Sequence, residues 1–161
     1  FWPAPPDWAT ERIEAPGITV TTSLGDRGAY LLSGSGQAIA ALIKDHPGTA
    51  LQVAPDRVLL VTQAPSGLQD GWHALGIAIS DLSDAHIRFD ICGLGATALL
   101  ALGSPSLALD PKPRAAALGF AGMNLIVEPL PDGARLHVDR PQAPHLWHWL
   151  LAATETAKDQ P

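Results

Sequence analysis

The chain has 161 residues, 47% of them apolar and only 16% charged, with a net charge of −6 and a single cysteine. That length is enough to bury a core without covalent staples, and one thiol excludes both an internal disulfide and a multi-cysteine metal site. The basic residues are scattered rather than clustered, which excludes the positive groove a nucleic acid needs.

Residues 1–16 contain Pro3, Pro5, Pro6 and Pro16 together with Trp2 and Trp8. Proline fixes φ and removes backbone donors, so this segment is predicted to be an extended arm. Two large aromatics are costly to leave in water, which places the arm on a surface, its own or a partner's. Its deletion is expected to weaken assembly more than it lowers the melting point of the isolated chain. The opening residues lack the basic and apolar regions of a signal peptide, and the missing initiator Met implies further residues upstream.

From Gly17 the pattern becomes regular. Gly17–Ser23 alternates as a strand, and a turn over 24–28 leads to a strand at Ala29–Ser33 and a helix at Gln37–Asp45, stopped by His46-Pro47-Gly48. Thr49–Val53 and Arg57–Thr62 read as a hairpin, and Ser66–Leu75 as a short helix. The order then recurs: strands at Ile77–Leu82 and Ile87–Cys92, a helix at Ala96–Leu102, a hairpin of Met123–Glu128 with Arg135–Val138, and a closing helix at Pro141–Thr156.

Two stretches in particular read alike. Tyr30-Leu-Leu-Ser-Gly-Ser-Gly36 and Phe89-Asp-Ile-Cys-Gly-Leu-Gly95 are each an aromatic-led strand and a Gly-x-Gly turn before an Ala/Leu-rich helix. The repeat predicts an α+β fold: two ββαββα lobes, 17–76 and 77–157, related by a pseudo-twofold. The sheets are expected to be mostly antiparallel, with helices packed on one face. Gly103–Gly122 is left as a long loop, the kind that is usually functional or partner-bound.

Candidate chemistry is sparse. Gly93-Leu-Gly95-Ala-Thr-Ala98 fits a relaxed dinucleotide fingerprint, but its strand belongs to a hairpin pattern, and glycines also serve tight turns. Asp81 and Asp84 lie in a phrase that reads as a turn. Arg88 and Asp90 alternate with Ile87, Phe89 and Ile91 and so occupy the opposite face of their strand. His145 and His148 share a helical face without a third metal ligand in the pattern. Catalytic, cofactor-binding and metal-ligating residues are therefore assigned to none. The apolar stripe of the closing helix is wider than a one-sided surface helix needs. Interface candidates are Trp2, Trp8, Trp147 and Trp149, because Trp is enriched at subunit contacts.

Ile79-Ser-Asp-Leu-Ser-Asp-Ala-His and the strand, Gly-rich turn and helix that follow it, with His145-Leu-Trp-His-Trp-Leu-Leu-Ala-Ala153, resemble the gamma subunit of heterotetrameric sarcosine oxidase. That family lies within the aminomethyltransferase-like superfamily. Asp84, Leu94 and Gly103-Ser-Pro105 depart from its pattern. The resemblance implies a small subunit without a catalytic centre in a complex that oxidises an N-methyl amine. A larger alpha-type partner would bind NAD and tetrahydrofolate, a beta-type partner would carry flavin (FAD and FMN), and a small delta-type chain would complete the assembly. Hydride would pass from the amine to flavin, and the one-carbon unit to tetrahydrofolate. No membrane partner is expected, since no apolar run approaches the ~18 residues of a spanning helix, and a cytoplasmic location follows. The alternatives are a stand-alone folate-binding one-carbon transferase and an adaptor module without metabolic role.

Overall fold

Antiparallel pairing organises the whole chain. The computed structural model describes residues 4, 6–24, 28–63, 66–109 and 116–158. In chain order its strands are β1 (Arg12–Ala15), β2 (Ile18–Leu24), β3 (Ala29–Ser33), β4 (Gly48–Ala54), β5 (Arg57–Thr62), β6 (Gly71–His73), β7 (Ile77–Asp81), β8 (His86–Cys92), β9 (Ala116–Phe120), β10 (Met123–Leu130) and β11 (Gly133–Asp139). The helices are α1 (Gly36–Asp45), α2 (Ala96–Gly103), α3 (Pro105–Leu109) and α4 (Ala143–Lys158), with a 3-10 turn over Arg140–Gln142 before α4.

Among the described residues the strands form two sheets. One has the order β1-β2-β8-β11-β10-β9, and the other β6-β7-β3-β5-β4. The orders correspond strand for strand, with β9 added at one edge. Each central strand leads through a Gly-x-Gly turn into a helix, as the repeat predicts. The leading hairpins, however, pair across the division at residue 76. Hairpin β1–β2 pairs with β8 of the second repeat, Val20 opposite Ile91, while hairpin β6–β7 pairs with β3 of the first, Ile79 opposite Leu32. Each half lends its leading hairpin to the other, so neither contains a complete sheet.

The Gly-x-Gly turns exist because of this exchange. Gly17 and Gly76, at the tips of the two exchanged hairpins, have φ of +71° and +77°. Gly17 O accepts from Gly95 N at 2.9 Å, and a Cβ on Gly93 (φ +113°) would lie 2.3 Å from that oxygen. Across the pseudo-twofold, a Cβ on Gly34 would sit 3.0 Å from Gly76 O. The glycines admit a second backbone.

The layers run helix, sheet, sheet, helix. Ile18, Val20, Ile87, Phe89, Ile91, Leu125, Val127, Leu136 and Val138 alternate onto one face of the six-stranded sheet and bury against α2 and α4. Tyr30, Leu32, Val58, Leu60, Ile77 and Ile79 do the same beneath α1, through Ile39 and Leu42. Leu51, Leu59 and Val61 bury on the other face with Ile126 of the six-stranded sheet, so β5 is apolar on both sides. Ser35 caps α1, its Oγ accepting from Ala38 N at 3.2 Å.

Three expectations change. The helix predicted over Ser66–Leu75 is instead the edge strand β6, because Gly71 (φ +120°) and Gly76 are left-handed and His73 pairs with Ile77. The loop predicted over Gly103–Gly122 contains α3 and β9, and β9 pairs with β10, Leu118 opposite Leu125. The arm is not extended throughout. Asp7 O accepts from Thr10 N and Glu11 N in a turn that leads into β1. The turn predicted at 24–28 falls largely outside the described residues.

Gly93→Ala is expected to cost about 3 kcal/mol or more, combining backbone strain with collision against Gly17. Gly36→Ala, at the first residue of α1 with nothing within 4 Å, is expected to be neutral or stabilising by up to about 1 kcal/mol. Denaturant midpoints of the two variants check the pair.

Candidate functional site

The charged side chains gather on the face of the six-stranded sheet opposite its helices. Alternation along β8 puts His86, Arg88 and Asp90 there, and along β11 it puts Arg135, His137 and Asp139 there. Register does the rest: Asp90 lies opposite Arg135, Arg88 opposite His137, and His86 opposite Asp139, while Glu128 of β10 faces Arg135 from the other side. Sequence reading placed Arg88 and Asp90 on this face. It did not bring Glu128, Arg135, His86 and His137 to them, because the pairing of β8 with β11 cannot be read from either strand alone.

Most of these groups satisfy one another. Arg135 donates from Nε and Nη2 to both oxygens of Asp90 at 2.7 Å, a bidentate pair. His137, fully buried, donates from Nε2 to Glu128 Oε2 at 2.9 Å. The histidine hydrogen bond holds the Glu128 carboxyl below the usual range against the opposing effect of burial. The Asp90 hydrogen bonds push Arg135 up. Arg88 is buried and donates from Nη2 to Leu24 O at 2.8 Å. A carboxylate fixed in its ionised form between two donors is a poor proton shuttle. Burial, reinforced by Asp132, raises the Cys92 thiol, which keeps it protonated and weakly nucleophilic.

His86 is the exception in the cluster. Its Nε2 lies 3.3 Å from Asp139 Oδ1, but its buried Nδ1 has no hydrogen-bond partner among the described residues. Burial lowers the imidazole's affinity for a proton, an effect that exceeds the opposing attraction of Asp139. A cavity of about 10 Å³ lies against it, lined by His86, Arg88 and His137 from one sheet, Ala29 and Val61 from the other, and Leu82 and Ser83 from the linker.

The other polar candidates resolve into local structure. Asp81 Oδ1 accepts from Ser83 N at 2.9 Å, the bond of an Asx turn. His145 donates to Ala121 O at 3.3 Å and His148 to Pro144 O at 2.7 Å, so the two histidines serve separate backbone carbonyls. No three His, Cys, Asp or Glu side chains converge as a metal site among the described residues. In the Gly93–Ala98 fingerprint, β8 is antiparallel to both its neighbours, β2 and β11, which is not the parallel setting of a dinucleotide site.

The tryptophans singled out as interface candidates fall in different settings. Trp2 lies outside the described residues. Trp8 packs into the chain's own core, its ring 5.7 Å from Phe89 and 6.2 Å from Trp147, edge-on to the latter. Trp147 is buried, and Trp149 stands edge-on to Phe120 at 5.3 Å. Trp72, on β6, is 76% exposed instead. Leu94 is 101% and Leu102 68% exposed. Reading 66–75 as a helix hid Trp72, whereas Gly71 and Gly76 on either side of it are the available signal for an edge strand.

Two interlocked antiparallel sheets with helices on their outer faces define the class of fold, and a chain of a multi-subunit oxidase shares it. That enzyme is the heterotetrameric sarcosine oxidase from Corynebacterium sp. U-96 in complex with pyrrole 2-carboxylate; the match covers 96% of this chain and 92% of that chain, with a TM-score of 0.72 and 18% sequence identity. The likeness is one of fold, and the two coverages make the chains close in length. No family model and no curated protein matches the chain. No helix among the described residues is long and apolar enough to cross a membrane.

Because Trp8 joins Phe89 and Trp147, Trp8→Ala is expected to destabilise the isolated chain by about 2 kcal/mol, less than the 3–5 of a fully buried Trp. Thermal unfolding of the variant without any partner checks this. An unchanged melting point would return Trp8 to the role of a partner contact.

Proposed function

We propose that this chain is the small, gamma-type subunit of a heterotetrameric sarcosine oxidase-like flavoenzyme. In this reading the complex oxidatively demethylates sarcosine or a related N-methyl amine, with tetrahydrofolate as the one-carbon acceptor. The observation that carries it is the end-to-end likeness to a chain of heterotetrameric sarcosine oxidase, which spans nearly all of both chains. The Leu146-Trp-His-Trp-Leu-Leu151 phrase on which the sequence resemblance rests adds to it.

The reading gives this chain no catalytic step and no cofactor of its own. FAD, FMN, NAD and tetrahydrofolate belong to the alpha-type and beta-type partners, and a delta-type chain completes the assembly. The charged cluster fits a supporting role, since its pairs are consumed in holding strands together. The low charged fraction and the exposed Trp72, Leu94 and Leu102 fit a surface that a larger subunit covers.

Affinity capture of the chain from its native cells is expected to yield a yellow eluate with two larger chains and flavin absorbance. A colourless single band would favour the folate-binding or adaptor alternative, and a folate titration would separate those two. Trp72→Ser is expected to leave the melting point of the isolated chain within about 0.5 kcal/mol of wild type, as for an exposed site. The same variant is expected to reduce recovery of the larger chains, and full recovery would remove Trp72 from the contact.

A further inference from the structure

We propose that His86 is an acid-sensitive latch between the two sheets: neutral, it closes the seam beside Arg88 and His137, and its protonation loosens the contact between β8 and the β3–β5 side of the other sheet. The geometry carries this. The imidazole is 11% exposed, and it stands where β8 meets Ala29 and Val61 of the opposite sheet. Its ring centroid is 6.4 Å from that of His137, edge to face.

The surroundings favour the neutral ring. From the opposite sheet come Ala29 and Val61, and from residues 82–85 between β7 and β8 comes Leu82, whose side chains carry no acceptor. Ser83, the remaining lining residue, has its hydroxyl engaged with Ala29 N and Asp81 Oδ1. On its own sheet His86 meets the permanent cation Arg88 and the ring of His137, whose proton is directed at Glu128. The Asp90–Arg135 pair lies further along the same face and closes on itself. Asp139 is the carboxylate within reach, and its side chain is 62% exposed, so water screens much of its attraction.

A proton added to His86 would therefore put a donor on a buried Nδ1 that has no hydrogen-bond partner among the described residues, in a ring that lines the small cavity together with Arg88. The unfolded chain meets no such penalty and takes up that proton in the ordinary histidine range. Folded stability on this account is full above that range and declines as pH falls through it. For one proton taken up on unfolding, the unfolding constant rises by about tenfold per pH unit.

The experiment is an NMR titration of the His86 ring in the full chain, with amide exchange of β3, β5 and β8 measured at pH 7.5 and pH 5.5. The ring is expected to titrate below free imidazole, and protection in the three strands is expected to fall together at the lower pH. His86→Gln should flatten that fall. Asp139→Asn, at an exposed position that does not threaten folding, should move the ring's midpoint lower still and steepen the loss. A ring that titrates at or above the free value overturns the latch. So does strand protection with the same pH dependence in wild type and His86→Gln.

Discussion

Two hairpin tips pressed against two Gly-x-Gly turns hold this molecule together. Gly17 meets Gly93 and Gly95, and Gly76 meets Gly34: a Cβ on Gly93 would lie 2.3 Å from Gly17 O, and one on Gly34 3.0 Å from Gly76 O. Each contact joins the first hairpin of one repeat to the central strand of the other. A duplication that only set two lobes side by side would leave an interface open to water. Exchange makes the sheets mutually dependent instead, since losing β1–β2 exposes the β8 edge of the opposite repeat. Cooperativity in so small a chain thus comes from topology as much as from core volume.

The exchange also explains why the charges lie where they do. With helices covering the outer faces, the inner faces of the sheets must meet each other. The five-stranded sheet offers Leu51, Leu59 and Val61, while the six-stranded one offers Ile126 beside a row of charged residues. Charges at that depth are tolerable only when paired. Cross-strand register supplies the partners: Arg135 stands between Asp90 and Glu128, and Glu128 receives the buried His137. His86, at the end of the row, faces the thinnest supply of acceptors.

Much of the fold was legible because it is periodic. Alternation found β2, β3, β5, β7 and β8 within a residue or two, and the Gly-x-Gly repeat gave the α+β class and the doubled order. What failed depended on partners distant in sequence. β6 is three residues long and gains its conformation from β7, so its own residues could be mistaken for a helical turn. The exchange of hairpins was invisible because β2 carries the same alternation whichever sheet it joins. The charged cluster was half legible: the face of Arg88 and Asp90 follows from alternation, whereas Arg135 as the partner of Asp90 follows from a register across 45 residues. Trp8 could not be divided between core and surface without knowing that Asp7 turns the chain back toward Phe89.

The pseudo-twofold supplies an internal control for what the second repeat has been shaped to do. In the first Gly-x-Gly turn the middle residue is Ser35, which caps α1; in the second it is Leu94, and α2 begins with no side-chain cap. A cap of that kind is worth about 1 kcal/mol, and an exposed leucine contributes nothing to the core. The same fold therefore accepts a more stable residue at one turn and forgoes it at the other. Packing within the chain does not ask for Leu94, because its side chain is fully exposed. An apolar residue at the tip of a rigid, glycine-locked turn costs little ordering entropy when another surface closes over it. The two turns thus differ in what their middle residue does: Ser35 caps a helix, and Leu94 presents an apolar side chain at the surface.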